Sequence, residues 1–212
     1  MKKPLLLLLI PTFLLLVGCS TNKGSVTPSG EETPSQEEEE EQGFDVTFTF
    51  KGASDREGLT PGSLLEHEKT TSAIKSILGE YIDSDDPSCF SATSCSMQDV
   101  GGNTSGITSV TVGTAKKAGT LEFNFKYDIL KVEYTFQNYF NEYPGGTSID
   151  SNALLYIEDK KVDLSVGSGV TTPEEVIGTY KYPNKKKSLN FHNTSDHQRT
   201  YIHELKITFS EE

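Results

Sequence analysis

Four groups of residues in this 212-residue chain are of types that could do chemistry. His192, Asp196, His197 and His203 fall within twelve residues, and imidazoles with a carboxylate that close could hold a metal or move a proton. No His-Glu-x-x-His arrangement appears, however, and His203 alternates in phase with Tyr201 and Leu205, so a partly buried strand position is the expectation for it. Asp83, Asp85 and Asp86, with Glu80 just upstream, are the densest carboxylates of the folded part and the candidates for a structural calcium ion. They lack the Gly and distal Glu of an EF-hand loop, so a solvated acidic turn before Pro87 is expected and no metal or other cofactor is assigned. Cys89 and Cys95 are spaced to close a small disulfide loop outside the reducing cytoplasm, or to stay as free thiols. Tyr139, Phe140 and Tyr143, bracketed by Asn138, Asn141 and Glu142, are what a sugar- or peptide-binding rim would use, since rings stack while amides orient. The same rings could instead cap the end of a sandwich.

No Gly-x-Ser-x-Gly elbow, phosphate-cradling loop or zinc-protease helix is present, so no catalytic residue is assigned. Composition narrows the partners further. Nineteen Lys plus Arg against 31 Asp plus Glu give a net charge of -12, which leaves no basic face for nucleic acid. Hydrophobic residues are only 34 % of the chain, so part of its length is expected outside any core.

That part is the N-terminus. Lys2 and Lys3 precede an apolar run from Leu5 to Val17, the pattern of a secretory signal and too short for a secure membrane span. Leu16-Val17-Gly18-Cys19 at its end resembles a bacterial lipobox. The resemblance implies cleavage of residues 1–18 and acylation of Cys19 by diacylglycerol and chains such as palmitate, anchoring the protein to the membrane on the extracytoplasmic side. More than one acyl chain makes such anchorage lasting. Residues 19–43 are mostly Ser, Thr, Pro, Gly and Glu, with Val26 as the one large aliphatic residue and a run from Glu37 to Glu41, a composition that buries too little apolar surface to order itself. A flexible acidic spacer is expected there.

Residues 44–212 read as one domain of short strands. Phe44, Val46, Phe48 and Phe50 alternate with Asp45, Thr47 and Thr49, and similar runs recur at 107–112, 121–125, 130–136, 153–158, 162–164, 177–182, 188–192 and 201–209. Turn signals lie between them at 117–119, 144–146, 159–160, 167–169 and 183–184. Strands without a βαβ rhythm predict a mainly β fold, an antiparallel jelly-roll-like β-sandwich. Two helical excursions are expected, one capped by Thr70 or Thr71 and ended by Gly79, the other starting at Thr60-Pro61.

From Ile107 onward the strands are similar to a repeat theme of surface lipoproteins and extracellular proteins of low-GC Gram-positive bacteria and mollicutes. The similarity is carried by the glycine-bounded turn Gly113–Gly119 with Lys116, the strand Leu121–Phe125, the hairpin Leu155–Leu164 and the closing strand with Arg199, Tyr201, Ile202, Leu205, Ile207 and Phe209. It implies a jelly-roll or galactose-binding-like sandwich without a known activity. The functional expectation is a lipid-anchored, non-catalytic binding or adhesion module for a glycan or protein, using loops around Tyr139–Tyr143. The alternatives are a glycan hydrolase using carboxylates such as Asp83 and Asp85, and a structural envelope protein.

Overall fold

The computed structural model describes residues 42–53, 56–102 and 106–211. The leader, Cys19 and the acidic segment through residue 41 lie outside the described residues. Strand β1 (Gly43–Thr49) follows the alternation of Phe44, Val46 and Phe48 and pairs antiparallel with the last strand. Helix α1 (Glu68–Leu78) buries Thr70, Ala73, Ile74 and Leu78 on one stripe. Gly79, at φ 60, closes the helix by donating its N–H to Lys75 O. Thr70 and Thr71 lie within the helix instead of capping it, and His67 holds the N-cap position. The expected helix at Thr60-Pro61 is not formed. Gly62, Ser63 and Leu65 instead bond to the Met97 and Cys95 backbones, covering a sheet edge.

The remaining strands are β2 (Phe90–Thr93), β3 (Cys95–Asp99), β4 (Thr108–Val112), β5 (Thr120–Asn138), β6 (Phe140–Tyr143), β7 (Gly146–Ile149), β8 (Leu154–Ile157), β9 (Lys160–Asp163), β10 (Glu175–His192) and β11 (Thr200–Ser210). Every ladder between them is antiparallel, and nine of the strands form a single sheet. The long strands β5 and β10 curl this sheet on itself. The first half of β5 pairs with β2 and with the second half of β10, while its second half pairs with β11 and with the first half of β10. The two halves face each other across the core, where Phe136 meets Phe191 edge-on at 5.8 Å and Phe50 stacks on Phe123 at 6.2 Å. This is the mainly antiparallel β-sandwich architecture that the alternation predicts.

The curl is made by irregularities in register. Between Lys181 and Lys186 β10 carries extra residues, and between Asn124 and Ile129 β5 carries extra residues in turn. Pro183, which donates no ladder hydrogen bond, sits in the β10 irregularity and so does not end the strand. Two expected turns of phase are corrected here. Leu130 is only half-buried, because the break puts Ile129 into the core instead. In β11 a bulge between Ile202 and Glu204 sends Ile202 into the main core with Leu205, Ile207 and Phe209. Tyr201 and His203 stack on each other at 5.7 Å, and Tyr201 packs with Val100, Tyr139 and Phe140 in a second, smaller cluster.

Candidate functional site

The aromatic rim expected at Tyr139–Tyr143 is mostly interior. Tyr139 and Phe140 are 8 % and 5 % exposed, and only Tyr143, at 52 %, faces solvent. The reason is the second cluster. Tyr139 is sandwiched between the Tyr201 ring at 5.4 Å and the Arg199 guanidinium, 3.6 Å above its centroid. Arg199 is fixed by a two-pronged pair with Asp150, Nε to Oδ2 and Nη2 to Oδ1 both at 2.8 Å. Asn138–Gly146 is therefore not a loop but the entry to the β6–β7 hairpin, and its first two rings cap the end of the sandwich.

The other candidates separate in space. Cys89 and Cys95 are two buried free thiols, not a disulfide. The intervening β2 spans four extended residues, about 13 Å of chain at roughly 3.3 Å each, against a Cα separation of about 4.4–6.8 Å that a disulfide allows. Cys95 Sγ instead donates toward the Thr93 and Thr120 carbonyls, and burial pushes its thiol up to about 12. Asp86 accepts from the Ser88 hydroxyl and N–H, which hold its carboxyl below the ordinary range and cap the short turn Pro87–Cys89. Asp83 accepts from the Asp85 N–H. Among the described residues no three His, Cys, Asp or Glu side chains converge as metal ligands. The histidines do not gather either: His203 is 2 % exposed inside the bulge, whereas His192 ends β10 on the opposite part of the sheet.

His192 belongs to a site that the loop reading missed. A cleft of about 720 Å³ opens between the two halves of curled β10 and the β8–β9 hairpin, lined among others by Tyr156, Glu158, Asp159, Tyr180, Tyr182 and His192. That size is within the usual range for small-ligand sites. Alternation builds both walls. Tyr180 and Tyr182 share one face of β10 and meet edge-to-face at 4.9 Å. Tyr156 on β8 pairs in register with His192 on β10, and their rings stack at 4.9 Å and 11°. The register break between Lys181 and Lys186 bends β10 so that both ring pairs line one concavity.

Glu158 ties the walls together. It occupies the first position of the two-residue β8–β9 turn, one residue before the turn expected at Asp159-Lys160. Its φ of 54 lies in the left-handed region that non-glycine residues seldom adopt, at a cost of about 1 kcal/mol. The conformation is held from several sides. Its N–H donates to Asn190 O at 2.9 Å, its Oε1 accepts from Asn190 N at 3.0 Å and from the Tyr182 hydroxyl at 2.8 Å, and its Oε2 accepts from Lys186 Nζ at 2.6 Å. Asp159 accepts from the Tyr180 hydroxyl at 3.3 Å. Burial, then the nearby Glu158 carboxylate, drives the Tyr182 hydroxyl far above its ordinary value, and burial and Asp159 raise Tyr180 in the same way. Both tyrosines are therefore neutral donors with fixed rings. Both Glu158 oxygens are occupied by internal donors, so this carboxylate stands as a strut between the walls. Half-buried ring faces beside fixed polar groups suit a ligand with flat apolar patches edged by hydroxyls.

No family model and no curated protein matches the chain. Among solved structures it is similar to a mutant of CBM29-2, a family 29 carbohydrate-binding module, with a TM-score of 0.37 at 10 % identity, covering 79 % of this chain and 93 % of that one. A second family 29 carbohydrate-binding module gives 0.35 at 11 % identity, covering 62 % and 86 %. The catalytic domain of a GH87 alpha-1,3-glucanase gives 0.30 at 13 % identity, covering 61 % of this chain and 29 % of that one. These scores are low, and none of these neighbours assigns a residue or a ligand to this chain.

Proposed function

We propose that this chain is a non-catalytic glycan-binding module whose site is the cleft formed by Tyr156, Tyr180, Tyr182 and His192. The observation that carries the reading is the aromatic lining of one concavity by two ring pairs, with Glu158 and Asp159 accepting from the tyrosine hydroxyls. A sugar ring offers an apolar face to such rings and hydroxyls to the amide of Asn184 and the amines beside it. The hydrolase alternative finds no support in this cleft, because Asp83 and Asp85 lie on an exposed turn that does not line it. The lipobox at Cys19 supports a lipid-anchored module displayed outside the cytoplasm, with the Ser/Glu-rich segment as its spacer.

The test is a glycan array probed with the chain from residue 20 onward, beside Tyr156→Ala and Tyr143→Ala variants. Removing one stacking face of about 1 kcal/mol weakens binding roughly fivefold. Binding roughly fivefold weaker with Tyr156→Ala and unchanged with Tyr143→Ala is the expected pattern. The reverse pattern would return the site to the β6–β7 hairpin.

A further inference from the structure

The curled sheet has edges as well as faces, and they are not protected alike. The edge at β3 is covered by residues 62–65, and the edge at β9 is only four residues long and carries Lys160, Lys161 and Asp163. The first half of β10 has neither device. Residues 175–181 pair with β5 on one side, while β8 meets β10 only further on, at Phe191 and His192. In the middle of this run Ile177 is 77 % exposed, the most exposed large apolar side chain among the described residues. A regular edge with an apolar side chain at its centre is a template for one more strand.

The phase of the hydrogen bonds fixes which groups this edge offers. Phe50 donates its N–H to His203 O, so in the β1–β11 register Leu205 and Ile207 turn toward β1 and Lys206 turns toward β5. Lys206 pairs with Glu133, which is thereby bonded on the β11 side, and Thr179 opposite Glu133 points away from β5. Lys160 agrees with this phase, because its Nζ reaches Thr179 O at 2.8 Å from the open side. By alternation the N–H and C=O groups of Glu175, Ile177, Thr179 and Lys181 all point to the open edge.

That edge is complementary to itself. Two copies laid antiparallel about a two-fold axis at Gly178 set Ile177 of each opposite Thr179 of the other, in phase to exchange N–H and C=O bonds. The same register sets Glu175 opposite Lys181 at both ends. An axis at Ile177 or Thr179 would instead put Glu175 opposite Thr179 or Pro183 and lose both charge pairs. The side chains are disposed for it. Lys181 faces Lys131 across the ladder, a pairing of like charges that an acid from outside relieves. Glu175 meets Lys51 and His203 through Oε1, which leaves Oε2 for a further cation.

We infer that the open edge of β10 pairs with the same edge of a second copy, extending the sheet across a two-fold dimer. Lys160 guards this seam: its amine holds the Thr179 carbonyl that the Ile177 N–H of the second copy would take, so the two compete. So short a seam stays below the roughly 1,200 Å² of a stable interface, and the dimer is transient, with a dissociation constant on the order of 100 μM.

Sedimentation equilibrium of the chain from residue 20, between about 20 μM and about 1 mM, tests this. The expected result is a passage from monomer to dimer across that range. Ile177→Lys abolishes it. Lys181→Glu sets like charges at both ends and weakens it roughly tenfold, more at low salt than at high. Mixing the Lys181→Glu chain with a Glu175→Lys chain restores the dimer, since opposite charges then meet again at both ends. Lys160→Met frees the carbonyl and tightens the dimer roughly fivefold. All four side chains are exposed, and the denaturation midpoint checks that each variant is folded. A wild type and a Lys160→Met variant that both stay monomeric throughout would overturn the inference. So would a dimer indifferent to Ile177→Lys, or a loss in Lys181→Glu that mixing does not repair. Glycan binding is measured separately on the array, so none of these failures touches that reading.

Discussion

The buried histidine of the β11 bulge gives the sharpest quantitative prediction. Its Nε2 lies 2.8 Å from Gln137 Oε1, and the Gln137 amide nitrogen donates to Pro173 O, so in the neutral ring Nε2 carries the proton. Nδ1 lies 2.9 Å from Ser109 Oγ, whose hydroxyl donates to Ile202 O at 2.7 Å. Burial, reinforced by Lys51 and opposed by Glu175 at 3.8 Å, pulls His203 from its ordinary 6.5 down to about 4. As the folded value is the lower one, the unfolded chain takes up the proton first as pH falls. Stability is therefore complete above 6.5 and is lost between 6.5 and about 4, amounting to about 3 kcal/mol and a slope of at most about 1.4 kcal/mol per pH unit. Guanidinium denaturation of the wild type and of His203→Gln across pH 7.5 to 4.5 measures this, and the difference between them removes the carboxylates. The wild type should lose its advantage as pH falls. A rival outcome is built into the same network. Ser109 Oγ also lies 2.7 Å from Ile202 O and has one proton, so an imidazolium donating to Ser109 and Gln137 would satisfy every contact at once. A wild type that gains on the variant in this window would show that the hydrogen bonds outweigh burial, and would refute the reasoning.

Three further outcomes follow from the packing. Arg199→Ala leaves the buried Asp150 carboxylate without its partner and exposes Tyr139, so the denaturation midpoint should fall by an amount equivalent to about 3–5 kcal/mol. Gly178→Ala drives a methyl against the Tyr134 ring and hydroxyl, which should cost about 1–3 kcal/mol and be partly relieved by Tyr134→Val. A thiol reagent should label neither Cys89 nor Cys95 in the native protein and both after denaturation without reductant; a single unreactive, cross-linked pair would contradict the separation enforced by β2.

Much of this fold is written locally. The alternation at Phe44–Phe50 and at Tyr201–Phe209 marks strands because one face of each is buried. What the local pattern does not carry is where a strand bends. Pro183-Asn184 has the chemistry of a turn, yet it is absorbed by a register break because β5 supplies a continuous partner on both sides of it. The same kind of bulge at His203 reverses the face of Tyr201, a change that period two does not foretell. Strand β3 carries no alternation, since Cys95, Ser96 and Met97 are all buried, and β2 alternates over only four residues. Tyr139 and Phe140 look like a binding rim for lack of any local sign of Arg199 and Tyr201, which are distant in sequence. The cleft was half legible. Tyr180 and Tyr182 are aromatic at period two on one predicted strand, and Tyr156 and Glu158 stand at period two on another, but only the pairing of Tyr156 with His192 brings them to one place.

The central claim is that the cleft between β10 and the β8–β9 hairpin is the binding site. The most direct test is amide chemical-shift mapping of the chain from residue 20, titrated with the best ligand from the array. Perturbations confined to Tyr156–Lys160, Thr179–Lys187 and His192, and absent in a Tyr156→Ala/Tyr180→Ala variant, are predicted. Perturbations centred on Tyr143 and Gly146, or retained in that variant, would contradict the account.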